Sequence, residues 1–144
     1  MQAEDFIQQY MHCDPAGRKA MFSSLISSES LNELLSAYNW DDGLNLPADV
    51  ANHPSCDLGT ALNLFWLAEG VEAYLNGQDY SAHQRSWVEF CKELAEKILA
   101  NHYAPGPVPF VVPVGVSKRH MLRKQGVPEV FLSDTPATAS AIER

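Results

Sequence analysis

Apolar positions along the chain recur mainly at intervals of three and four, the helical period, and the polar residues between them supply starts and stops. Phe6, Ile7, Tyr10 and Met11 share one side of a short helix over about residues 3–12. Asp14-Pro15 reads as an N-cap followed by proline at the first helical position, opening a helix with Met21, Phe22, Leu25 and Ile26 on a common face. Ser30 and Glu33 fit a capping box, and Leu31, Leu34, Leu35 and Tyr38 follow at helical spacing. Asp41-Asp42-Gly43 predicts the stop. Pro47 opens a short helical piece that Pro54 must end. Asp57 caps a helix apolar over most of its girth (Leu58, Ala61, Leu62, Phe65, Ala68, Leu75), hence central, running to Asn76-Gly77. Ser81 and Gln84 offer another capping box. Beyond them Trp87, Cys91, Leu94 and Ile98 face the core, with Lys92/Glu96 and Glu93/Lys97 as opposite-charge pairs outside.

After Tyr103 the texture changes. Ala104-Pro-Gly-Pro-Val-Pro-Phe is too rich in proline for a helix. Residues 110–116 and 127–132 look extended, with prolines that confine them to edges or irregular paths. Lys118-Arg119-His120 and Arg123-Lys124 form a basic knot between them, and residues 135–144 read as loose. The expected architecture is all-α, a compact helical bundle or short helical-hairpin array. Residues 1–104 make the body and 105–144 an extended, proline-containing arm packed on the same domain, with room for a short β-hairpin.

Length and composition fit one domain. The chain's 144 residues, 46% apolar, suffice for a core without metals or disulfides. No apolar run approaches the roughly 18 residues of a membrane span. The opening MQAEDFIQQYMHC has no apolar stretch of the kind a signal peptide needs, so a cytoplasmic protein is expected. Cys13, Cys56 and Cys91 are odd in number and widely spaced, which reads as reduced thiols without a disulfide framework or zinc site.

Charge adds a direction. The net charge is −8, but residues 1–100 hold 15 acidic and 5 basic residues against 3 and 5 in residues 101–144. An acidic body repels nucleic acid and anionic lipid and attracts a basic protein partner. Acidity as a simple solubility device is the alternative.

One segment stands out. Tyr38-Asn39-Trp40-Asp41-Asp42-Gly43, Pro47, His53-Pro54, Cys56-Asp57-Leu58-Gly59-Thr60-Ala61-Leu62 and Phe65 together resemble a bacterial family known as domain of unknown function 4274. The resemblance covers roughly 30 residues and implies a helical fold and a bacterial source, with no established chemistry. Short acidic helix–loop–helix proteins of this texture are also similar to the immunity proteins that neutralise secreted toxins.

Within the segment, structural readings compete with functional ones. Tyr38, Gly43, Pro47, Pro54, Asp57 and Gly59 read as structural. Asp57 is an N-cap, and Gly59 inside the first turn implies that another backbone crosses closely there. Trp40 reads as a core anchor or a contact residue. Asp41 and Asp42 are read as an Asx-type turn, as acids facing a cationic partner, or as an acid/base or metal pair. His53 beside Cys56 invites a thiol reading, which Asp57 opposes electrostatically. Glu69, late in the central helix, and Glu72 one turn on are expected on its exposed edge; a core-facing carboxyl would have a raised pKa. No metal-binding, phosphate-loop or nucleophile-elbow motif occurs, and no cofactor or metal is expected.

The leading expectation is a small non-catalytic binding protein, an immunity-type inhibitor of a bacterial toxin or effector. Its contact surface comprises Trp40, Asp41, Asp42, Glu69 and Glu72, facing a basic toxin domain, with no nucleic acid or membrane among its partners. The alternatives are a metal- or thiol-dependent hydrolase using Asp41, Asp42, His53 and Cys56, and a structural interaction module that forms a homodimer.

Overall fold

The computed structural model describes residues 1–138. Among them are eight α-helices: α1 (Ala3–His12), α2 (Pro15–Ser23), α3 (Ser28–Ala37), α4 (Asn45–Ala51), α5 (Leu58–Leu67), α6 (Gly70–Asn76), α7 (Arg85–Leu99) and α8 (Val116–Lys124). The fold is all-α, with no named strand among these residues and no helix long and apolar enough to cross a membrane. α5 is central, as its girdle of leucines requires: Leu62, Leu64 and Phe65 are fully buried, and the helix packs against α3, α4, α6 and α7.

The helix starts follow side-chain capping chemistry. The Asp14 carboxylate accepts from the Gly17 amide at 2.8 Å, ahead of Pro15 at the first helical position. Asp57 accepts from the Thr60 amide at 2.9 Å. At α3 the cap falls one turn earlier than expected. Ser27, not Ser30, accepts the amide, and Ser30 holds the third helical position in place of Glu33. α2 stops at Ser23, where serine hydroxyls take the last carbonyls. Ser24 donates to Met21 O, and Ile26, expected on the inner face, is 88% exposed. α4 begins at Asn45, so Pro47 lies in the first turn, where its missing N–H removes no helical bond.

Two larger departures shape the molecule. The helix expected from residue 57 to residue 76 is broken. α5 ends at Leu67, and Glu69 adopts a left-handed backbone (φ 58°, ψ 40°) before α6. The Ala68 carbonyl released by this break accepts from the Trp87 indole N–H at 2.6 Å, with the Cys91 thiol 3.7 Å away. Secondly, the arm is not simply extended. The basic knot is part of α8, whose last turn is closed by the Gly126 and Val127 amides. A β-hairpin is absent among the described residues, where the only strand-like pairing is one antiparallel bridge between Phe110 and Thr135.

The arm nevertheless completes the core. Phe131 stacks on Phe65 at 4.4 Å, its carbonyl accepts the Trp66 indole N–H at 3.0 Å, and Val108, Phe110 and Leu122 are buried. Residues 135–138 are not loose, since Thr135 pairs with Phe110 and the Thr138 amide donates to Gly106 O. Residues 139–144, also expected to be loose, lie outside the described residues. The pairs Lys92/Glu96 and Glu93/Lys97 do not close. Lys97 donates instead to Asn52 at 2.7 Å, and the one ion pair among the described residues joins Arg123 to Glu129.

Candidate functional site

The Tyr38–Leu62 segment divides into a buried half and an open half. In the buried half, Asp57 is 7% exposed and both of its carboxylate oxygens are used. One accepts the Thr60 amide, the other the Val108 amide of the arm at 3.0 Å. The backbone crossing Gly59 is that of Val108: a Cβ on Gly59 would lie 1.8 Å from the Val108 carbonyl oxygen. The Leu58 amide donates to Ala104 O beside them. Cap, glycine and arm thus form one clasp.

His53 and Cys56 are not arranged for catalysis. The Ser55 amide donates to His53 Nδ1, which leaves the proton on Nε2, bonded to Phe22 O at 2.9 Å. Both ring nitrogens are therefore engaged. Burial first, and then the Asp57 charge, push the Cys56 thiol up to about 12, so it stays protonated at neutral pH. His53 and Cys56 line different cavities, and Asp41 lines a third. The hydrolase grouping Asp41, Asp42, His53 and Cys56 is not assembled. Among the described residues no three His, Cys, Asp or Glu side chains gather as a metal site.

The open half is built by a tight turn after α3. Tyr38 is buried and donates its hydroxyl to Gly43 O at 2.7 Å, and Gly43 takes φ 98°, which favours glycine. Residues Trp40–Asp42 form a 3-10 turn between them. Its Asx cap is made by Asn39, which accepts the Asp41 amide, and not by either aspartate. Asp41 and Asp42 are left exposed. Trp40 is half-buried, edge-on to Tyr38 at 5.7 Å, and packs against the core.

Trp40 and Asp41 line a cleft of about 500 Å³. Its other walls are Leu67, Ala68 and Glu69 from the α5–α6 break, and Tyr80, Gln84 and Trp87 from the start of α7 and the turn before it. Tyr80 and Trp87 meet edge to face at 5.0 Å. The Tyr80 hydroxyl donates to Glu72 at 2.7 Å, and Asn76 donates to the same carboxylate. These hydrogen bonds, chiefly that of Tyr80, lower the Glu72 pKa; a core-facing glutamate would have shifted the other way. Of the five expected contact residues, Trp40, Asp41 and Glu69 therefore share one cleft. Glu72 stands behind its Tyr80 wall, and Asp42 lies outside the lining.

Sequence reasoning missed Tyr80, Gln84 and Trp87. They arrive through the α5–α6 break, which no periodicity announces, although the scarcity of tryptophan was a usable signal. A larger cavity of about 930 Å³ runs beside α2 and α4, and its Tyr10, Arg18 and Asp49 are engaged with one another. Tyr10 donates to Asp49 at 2.6 Å, Arg18 Nε donates to Tyr10 O, and the Arg18 guanidinium lies over the Tyr10 ring at 4.7 Å.

The class defined by this geometry is a small acidic all-α domain with an aromatic and carboxylate-lined cleft at a helix break. The family described as Domain of unknown function (DUF4274) matches residues 27–99, just over half of the chain, and the protein belongs to that family. The match starts at the Ser27 cap of α3, ends with α7, and contains every residue lining the cleft. No curated protein and no solved structure matches the chain.

Proposed function

We propose that the protein is a non-catalytic binding protein, an immunity-type inhibitor that holds a basic bacterial toxin or effector domain against the cleft of Trp40, Asp41 and Glu69. One observation carries this reading. The cleft joins aromatic side chains to two exposed carboxylates that have no hydrogen-bond or ion-pair partner among the described residues. Tight protein interfaces rely on aromatic anchors, and charge of one sign steers a partner of the other. The acidic balance of residues 1–100 adds the long-range attraction. The engaged imidazole of His53 and the protonated Cys56 weigh against the thiol alternative.

The test is co-expression with the product of the adjacent gene. Protection from a toxic neighbour, together with a complex that weakens at higher salt, supports the reading. A neighbour that is no effector, with no complex formed in the native host, overturns it.

A further inference from the structure

We propose that the cleft receives one arginine side chain of the partner as the anchor of the interface, an inference that rests on the cleft being the partner-contacting face. The walls carry the argument. Trp40, Tyr80 and Trp87 line one cavity, and each is only half-buried. Two of them have their polar atoms committed elsewhere. Trp87 N–H donates to Ala68 O and Tyr80 O–H to Glu72, so what these two side chains still offer is mainly π surface. Asp41 and Glu69, both exposed, line the same cleft, and no lysine or arginine lines it.

A π surface attracts a cation over its face, and a carboxylate attracts it from the rim. A guanidinium satisfies both, because it is planar, stacks on aromatic rings and forks two N–H donors onto a carboxylate. An ammonium is a compact, strongly hydrated charge that does not stack, which favours arginine over lysine. The backbone adds a local sign: Glu69, at the break between α5 and α6 that lines the cleft, sits in the left-handed region at φ 58°, a conformation that glutamate rarely adopts.

The experiment uses the free protein and needs no toxin. Nα-acetyl-arginine methylamide is titrated into 15N-labelled protein while the three indole N–H signals are followed. Trp66 serves as an internal control, since its indole N–H is bonded to Phe131 O away from the cleft. The expected result is saturable movement of Trp40 and Trp87 with Trp66 unmoved. The neutral citrulline analogue should give none, and the lysine analogue should bind about fivefold more weakly or worse. Glu69→Gln and Asp41→Asn should each weaken the arginine probe about threefold or more. Equal shifts from citrulline, equal or tighter binding of lysine, or movement of Trp66 alongside the others overturns the arginine anchor. If the probe fails but Glu69→Gln still weakens a toxin complex, the anchor is wrong and the binding function stands.

Discussion

Asp57 and Asp41 lie sixteen positions apart in one family segment, and their surroundings are opposite. Asp57 is buried, and both of its oxygens accept backbone amides, one from its own helix and one from the arm. Asp41 is exposed at a cleft rim, and its turn is capped for it by Asn39. A buried carboxylate persists only where its hydrogen bonds replace water. An exposed one beside aromatic side chains has no folding task to explain it. The same residue type is therefore architecture at one end of the segment and, in the function proposed above, a contact residue at the other.

The sharpest way to break this comparison is at the clasp. Gly59→Ala places a Cβ against the Val108 carbonyl and forces the arm away, so a loss of about 3 kcal/mol or more is expected in urea unfolding. An unchanged midpoint would mean that the arm does not seat there. Asp57→Ala strands two buried amides and should cost about 2–4 kcal/mol, with α5 and the arm losing amide-exchange protection together. If only α5 loosens, the clasp is not one unit.

The thiols on either side give a pH test. Cys56 adjoins the clasp and Cys91 lies behind the cleft against Ala68; burial raises both from 9.0 to about 12. The unfolded chain ionises first, so their contribution to stability is complete below about pH 9 and is lost as pH rises toward 12. At pH 8 a thiol reagent should label the half-exposed Cys13 alone in the native protein. Rapid labelling of Cys91 would mean that the cleft floor opens.

The smallest effect has an unusual sign. Glu69→Gly relieves the left-handed strain and should stabilise the fold by about 1 kcal/mol, while removing a rim charge and weakening partner binding. Binding left unchanged or tightened would deny Glu69 its contact role.

The elements governed by local chemistry were legible in the sequence. Periodicity located α1, α3 and α7, and Asp14-Pro15 and Asp57 marked helix starts that their side chains cap. Local cues failed where two candidates competed. Ser27 and Ser30 both fit a cap, and Asn39 did the work assigned to the aspartates. They also failed where tertiary demand ruled. The break at Glu69 is supported by Trp87 and Cys91, each about twenty residues away, so an unbroken apolar pattern continued across it. In the arm, the prolines masked α8, although a run of good helix formers ending before Gly126 was readable. The cleft was legible in its Trp40–Asp41 wall and in Glu69, while Tyr80, Gln84 and Trp87 converge on it through that break.

The most direct measurement is the affinity of the adjacent-gene effector domain for the wild-type protein and for the Asp41→Asn, Glu69→Gln double variant, by titration calorimetry, with unfolding midpoints measured alongside. The account predicts that affinity falls about tenfold or more while the midpoint stays where it was, since both carboxylates are exposed and unpartnered among the described residues. An unchanged affinity would contradict the assignment of the cleft as the contact face.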